Sequence, residues 1–241
     1  MEAIINRLSA ERLERMRQAG RVILDSYRAL DKADANVVGQ CLAHQGTFYE
    51  LEHYPQGDVF DDETGAQYYY HAHRPDADEH GHFHTFLRAT GMPADVTPVP
   101  YHGAAERPEG DDAVGHLIAI SMNAEGFPTH LFTTNRWVTD ETFYPAAGTL
   151  RMVELFKVDH VFPCLAVNHW ITAMLRLFWP QIRALLKARD ETIRGWQRRH
   201  PGEDVFEDRD LEITSIMAID VDEQIALVEA ALKGMAVNAA Q

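Results

Sequence analysis

The sequence predicts an α+β fold: a mostly antiparallel β-sheet with an N-terminal helix and C-terminal helices packed on it. Three observations carry this expectation. Apolar residues recur at helical spacing over 9–31 and again over 148–200. Short β-rich runs punctuated by Gly, Pro, Asp and Asn fill 46–138. These strands come in a block rather than alternating with helices, the pattern of an antiparallel sheet rather than of βαβ units.

The first helix is expected over 9–31. Leu13, Met16, Gly20, Ile23, Tyr27 and Leu30 fall on one face, and Ser9 is placed to cap it. Strands are expected near 47–53, 66–73, 80–88, 115–122 and 129–138, with an acidic turn from Asp58 to Gly65 and one long loop from Met92 to Asp112. Val167, Ile171, Met174, Leu175 and Phe178 begin the helical part, 148–200. Pro180 should kink or restart it, and Pro201-Gly202 should stop it. A further strand is expected over 211–219. A last helix follows from Asp222 to Lys233, capped by Asp220 or Asp222 and ended by Gly234. No clean linker interrupts the chain, so one domain is expected over 1–241, with strand plus helix at 211–234.

Composition excludes several classes. At 241 residues the chain can bury a core without staples. Lys plus Arg is 22 against 37 for Asp plus Glu, a net charge of −15, which argues against a nucleic-acid or anionic-membrane binder. Cys41 and Cys164 are far apart and outside any C-x-x-C, so neither a disulfide framework nor a thiolate zinc knot is expected. The N-terminus is interrupted by charge too early for a signal-peptide core, and no run of 18 apolar residues occurs. A cytoplasmic protein is the expectation; the oligomeric state stays open.

The unusual number is 13 His. Five of them are His71, His73, His80, His82 and His84. Side chains alternate faces along a strand. If Arg74 to Glu79 is a hairpin loop, the simplest register pairs His73 with His80, His71 with His82 and Tyr69 with His84. All five imidazoles then share one sheet face, with opposed Cβ atoms about 5 Å apart. That spacing lets two or three imidazoles converge on one ion, with bonds of about 2.0–2.1 Å. A one-residue slip would scatter them. A solvated polar face would also accommodate five imidazoles, as would a buried polar network ordering a water-filled cavity.

Neutral imidazole suits Zn, Fe, Cu or Ni and disfavours Ca and Mg, so the expected cofactor is a transition metal of unassigned identity. His71, His82 and His84 are the preferred ligands, with His73 and His80 as alternates. Glu50 and Glu79 are the acid/base candidates. Glu52 shares a strand face with Glu50. Arg136, read on one strand face with His130, is the candidate anchor for an anionic small-molecule substrate. Tyr69 is placed to donate to a metal-bound ligand. His116 and His130 stand near enough in the strand order to join. His160 and His169 lie in the helical part. His169-Trp170 opens an apolar helix, which keeps a noncovalent haem open as a lesser alternative; no C-x-x-C-H occurs.

The sequence contains no P-loop, no G-x-G-x-x-G after a strand, no nucleophile elbow, no H-E-x-x-H and no EF-hand spacing. The runs Gly46 to Glu50, Tyr68 to His73, Glu79 to His84, Phe132 to Thr139 and Asp204 to Asp208 together resemble a bacterial family catalogued only as a domain of unknown function. The resemblance spans nearly the whole chain and implies no activity. The His pairs also resemble the H-x-H of cupins. Asp76 and Glu79 match the cupin carboxylate only approximately, and the second cupin motif is absent.

Three functional classes follow. The first is a His-cluster metalloprotein that, as an enzyme, would be a metal-dependent oxidoreductase or a hydrolase or lyase acting on a small molecule. The second is a non-enzymatic metal- or haem-binding carrier. The third is a metal-free module binding a small ligand.

Overall fold

A computed structural model describes residues 2–72 and 79–239. Six strands form one sheet in sequence order: β1 (Tyr54–Asp61), β2 (Ala66–His71), β3 (Gly81–Arg88), β4 (Val114–Met122), β5 (Pro128–Thr134) and β6 (Ile213–Ala218). Every neighbouring pair is antiparallel. The helices are α1 (Glu2–Ile5), α2 (Ala10–Asp31), α3 (Val37–Leu42), α4 (Arg136–Thr139), α5 (Ala146–Leu155), α6 (Leu165–Leu177), α7 (Trp179–Arg199) and α8 (Val221–Ala239). The fold is therefore α+β, as the block of strands implies.

Alternation along the strands divides the sheet into two faces. Ala66, Tyr68 and Tyr70 of β2, Phe83 and Leu87 of β3, and Ile118, Ile120 and Met122 of β4 enter the main apolar core. Helix α6 closes this core. Trp170 packs its ring 5.6 Å from that of Phe83, and Asn168 accepts a hydrogen bond from the Tyr68 hydroxyl at 2.5 Å. Helix α2 lies on α6 and delivers Leu13, Met16 and Ile23 to the same core. Its start is fixed by Ser9, whose side chain accepts from the Arg12 amide.

Several boundaries differ from the sequence expectation, each for a local reason. Residues 47–53 form bends and a turn instead of a strand, and the first strand begins at Tyr54. That strand carries Gly57 at φ +85° and Asp58 at φ +62°, with irregular pairing between Tyr54 and Val59. Its turn-forming residues belong to a bulge, which disguises the strand. The acidic turn is accordingly confined to the residues after Asp61. Strand β5 stops at Thr134, because the Asn135 side chain accepts from the Arg136 amide and opens α4. The helical part is three helices, and α7 restarts with Pro180 in its first turn. Asp220 accepts from the Glu223 amide at 2.8 Å at the head of α8. That helix runs through Gly234, which does not end it.

Candidate metal centre

The β2–β3 register sets Tyr69 opposite His84 and His71 opposite His82. Gln67, Tyr69 and His71 of β2 and His82, His84 and Phe86 of β3 thus share the face opposite the apolar core. This face is not solvated: His82 and His84 are 0% exposed and His71 is 8% exposed. One ring nitrogen from each of His71, His82 and His84 lies within 4.8 Å of the others, so the three can hold a metal ion.

The hydrogen bonds orient the rings. Nδ1 of His82 is 2.6 Å from Glu79 Oε1. A carboxylate only accepts, so the proton of a neutral His82 sits on Nδ1 and its Nε2 lone pair points into the cluster. That nitrogen lies 2.8 Å from Nε2 of His71, which must then be the donor. Carboxylate to imidazole to cluster is the arrangement that fixes the tautomer and raises the basicity of a metal-binding histidine.

A fourth histidine completes the group. Strand β4 carries an irregularity at Thr85/Phe86: Thr85 pairs with Ile118, but Phe86 pairs with His116. Leu117 is the extra residue, and it stays in the apolar core. His116 is thereby turned to the histidine face, where its Nε2 lies 3.0 Å from Nδ1 of His84. Burial, reinforced by the charge of Arg189 and by that of His82 when it is protonated, lowers the His116 pKa to about 3, so this imidazole is neutral. Glu141, 1% exposed, accepts from the His116 backbone amide at 2.6 Å. Burial raises its pKa to about 8, although Arg189, that hydrogen bond and Arg136 pull it down.

Aromatic rings wall the cluster. The Phe132 centroid lies 5.2 Å from that of His82 and 6.1 Å from that of His84. Tyr69 packs 5.3 Å from His71 and 5.2 Å from His84, and it stacks on His53 at 3.5 Å and on Phe86 at 5.6 Å. Burial pushes the Tyr69 hydroxyl well above the usual tyrosine range, so it stays protonated.

The remaining expected residues fall elsewhere. His73 and Asp76 lie outside the described residues. His80 does not share the face of His82 and His84. It sits just before β3, bonds through Nδ1 to the Tyr70 hydroxyl at 2.6 Å and stacks on Phe48. Strand alternation does not reach it. Glu50 and Glu52 are exposed ahead of β1 and lie on no strand. Glu79 is at the cluster, but bonded to His82. Arg136 is 1% exposed and opens α4 rather than extending β5. Its Nε bonds Glu207 Oε1 at 2.6 Å, so its guanidinium is already committed. His130 bonds the Thr129 hydroxyl at 3.2 Å, and His160 bonds the Phe60 carbonyl oxygen at 2.8 Å. His169 is exposed on α6.

Two contributors escape sequence reasoning. His53 stacks on Tyr69 and bonds Asp58 at 2.9 Å, yet it precedes a disguised strand. Glu141 reads in sequence as one of two adjacent loop acids, Asp140-Glu141, with no sign of its burial.

Fold and site together define a class: an antiparallel-sheet protein with helices on one face and a buried histidine cluster, capable of holding a metal ion, on the other. The chain matches the family described as a domain of unknown function (DUF6969) over residues 17–219 and belongs to that family. No curated protein and no solved structure matches it. Among the described residues no helix is long and apolar enough to cross a membrane.

Proposed function

We propose that the chain is a metalloprotein whose ion is held by His71, His82 and His84. The observation that carries this reading is the Glu79–His82 pair, which aims an unprotonated ring nitrogen at two neighbouring imidazoles in a buried site. A polar group is costly to bury unless it is bonded, and the cost of gathering several imidazoles in one core is understandable if they share a ligand. All-nitrogen ligation favours Zn, Fe, Cu or Ni over Ca or Mg. Three protein ligands leave a further position open, and the bound ion would supply Lewis-acid or redox chemistry there for a small-molecule substrate.

The chain's own groups would have separate roles. Glu79 holds the His82 tautomer and orients its ring. His116, kept neutral by burial, steadies His84. Phe132 and Tyr69 exclude water from the two sides they cover. Glu79 is engaged with His82, and Glu50 is exposed ahead of β1. Glu141, bonded to the His116 amide and raised by burial to a pKa of about 8, is the carboxyl group that would exchange a proton in a catalytic form of the reading; the carrier or accessory form needs none.

One observation favours a second reading, a metal-free polar network. The 2.8 Å separation of His71 Nε2 from His82 Nε2 is a hydrogen bond. Ligands of one tetrahedral ion at about 2.05 Å would stand roughly 3.3 Å apart. Binding would require the two rings to part by a few tenths of an ångström.

The deciding experiment is elemental analysis of untagged protein purified without chelator, followed by calorimetric titration of metal-stripped protein with Zn, Ni and Co. The expected result is one tight equivalent in the native chain and none in His82→Ala with an unchanged circular-dichroism spectrum. No metal as purified and no uptake on titration would overturn the metal reading in favour of the proton-sharing network.

A further inference from the structure

A second site lies on the helical layer, far in sequence from the histidine strands. Helices α2 and α6 and the segment following α5 enclose a groove of about 560 Å³, within the range of small-molecule sites. Its apolar lining includes Ala19, Val22 and Ala173, and its rim includes Arg15, Arg176 and Lys157. The groove is basic although the chain carries a net charge of −15.

The charges do not cancel locally. Arg12 is clamped bidentately by Glu154 and lies over the Trp179 ring at 4.2 Å, so its position is fixed. Lys157 is paired with Asp159. Arg15 reaches Glu11 only at 3.7 Å, with both side chains exposed, a contact worth little. Arg176 has no hydrogen-bond acceptor or ion-pair partner among the described residues. Its side chain is exposed at the mouth of the groove. Two cationic groups, Arg15 and Arg176, therefore stand over an apolar floor without a strong internal partner.

We infer that this groove binds a soluble amphiphilic anion, a carboxylate or phosphate ester with an apolar body, with Arg176 receiving the anionic head and Val22, Ala19 and Ala173 the body. A bare inorganic anion would leave most of the volume unfilled. A neutral apolar molecule would fill the body of the groove but leave the exposed Arg176 guanidinium without a protein or ligand acceptor, so an anionic head adds a contact that the groove's own residues do not supply. Arg176 supplies the planar fork suited to carboxylate and phosphate oxygens. Binding here would be independent of metal at the histidine cluster.

The test is calorimetric titration of the full chain with decanoate, decanol and inorganic phosphate. Decanoate is expected to bind with one-to-one stoichiometry, decanol at least about tenfold more weakly because it lacks the charge-assisted hydrogen bond, and phosphate at least about tenfold more weakly because it lacks the apolar body. Arg176→Gln should weaken decanoate about tenfold or more. Val22→Glu, a change at a partly exposed position, should abolish binding by placing a like charge on the floor. Both variants should keep the parent melting temperature within a few degrees. Decanoate binding that neither substitution changes, phosphate binding as tight as decanoate, or no decanoate binding at all would each overturn the inference.

Discussion

Glu79 and His82 are three residues apart, and the carboxylate of the first grips Nδ1 of the second at 2.6 Å just where β3 begins. The chain thus supplies a buried imidazole and the group that fixes its tautomer from one short segment. Orienting partners of this kind typically carry 10- to 100-fold in metal affinity. Glu79→Gln is expected to weaken Zn binding by about that factor without changing the β-sheet signal. A Zn titration followed by circular dichroism checks it; an unchanged affinity would mean the carboxylate does not tune the site.

The His71–His82 hydrogen bond predicts a tautomer exchange. Metal-free protein should show the His82 proton on Nδ1 and the His71 proton on Nε2. Coordination through Nε2 would move the His71 proton to Nδ1 and leave His82 unchanged. Two-dimensional 15N–1H spectra of the imidazole rings, recorded before and after one equivalent of Zn, should show coordination shifts at all the ligating rings but a change of tautomer at His71 and none at His82. A change of tautomer at His82 would contradict the assignment of donor and acceptor.

Two buried groups give the metal-free protein opposing pH dependences. Glu141 has its pKa raised from 4.5 to about 8, so the folded state holds a proton that the unfolded state lacks. Its contribution is fully present below pH 4.5 and is lost as pH rises through 8. His116 has its pKa lowered from 6.5 to about 3, so the unfolded state takes up the proton first. Its contribution is present above pH 6.5 and is lost as pH falls toward 3. The two slopes cancel between pH 4.5 and 6.5, and between 6.5 and 8 Glu141 acts alone. Urea midpoints of the metal-free chain should therefore fall from pH 6.5 to 8, and Glu141→Gln should remove that fall. A Glu141→Gln profile parallel to the parent's would refute this account.

Arg136 tests whether a buried guanidinium serves structure or a substrate. Its ion pair with Glu207 is one-sided in burial, Arg136 at 1% exposure and Glu207 at 24%. Leaving a buried charge unpaired costs about 3–5 kcal/mol. The partial exposure of Glu207 and the nearness of Asp140, 3.5 Å away, reduce this to about 2–3 kcal/mol for Glu207→Gln. Chemical denaturation should show that loss while Zn stoichiometry stays at the parent value. Unchanged stability would mean that the Glu207 pair does not hold the guanidinium, and the structural role assigned to Arg136 would fall.

The parts of the molecule legible in sequence are those where one local rule acts without competition. Ser9 ahead of an apolar stripe marks the start of α2, and Pro180 marks the restart at α7. The pairing of Tyr69 with His84 and of His71 with His82 is the simplest register of a hairpin between two adjacent runs, and alternation then places the four side chains on one face. Strand β1 is not legible because Gly57 and Asp58, both at positive φ, carry the chemistry of a turn inside a strand. His80 fails for a related reason: it lies one residue outside β3, so its side chain is set by Tyr70 and Phe48 rather than by the pleat. Arg136 follows an asparagine that ends the strand through its own side chain. Glu141 belongs to the residues that tertiary burial selects, and nothing adjacent in sequence marks it.

Leu117 gives the histidine face a dependence on counting. Ala119 and Ser121 lie on that face at odd positions, and His116 joins them from an even one only because β4 spends an extra residue between Ile118 and His116. Regular alternation through the same residues would instead turn Leu117 to the histidine face and carry the His116 imidazole across the sheet into the layer occupied by Trp170 and its apolar neighbours. His84 would then lose its partner although no residue had been altered. A chain one codon shorter here, without Leu117, would keep the four-imidazole arrangement by plain alternation, whereas a chain of the present length keeps it only through the bulge.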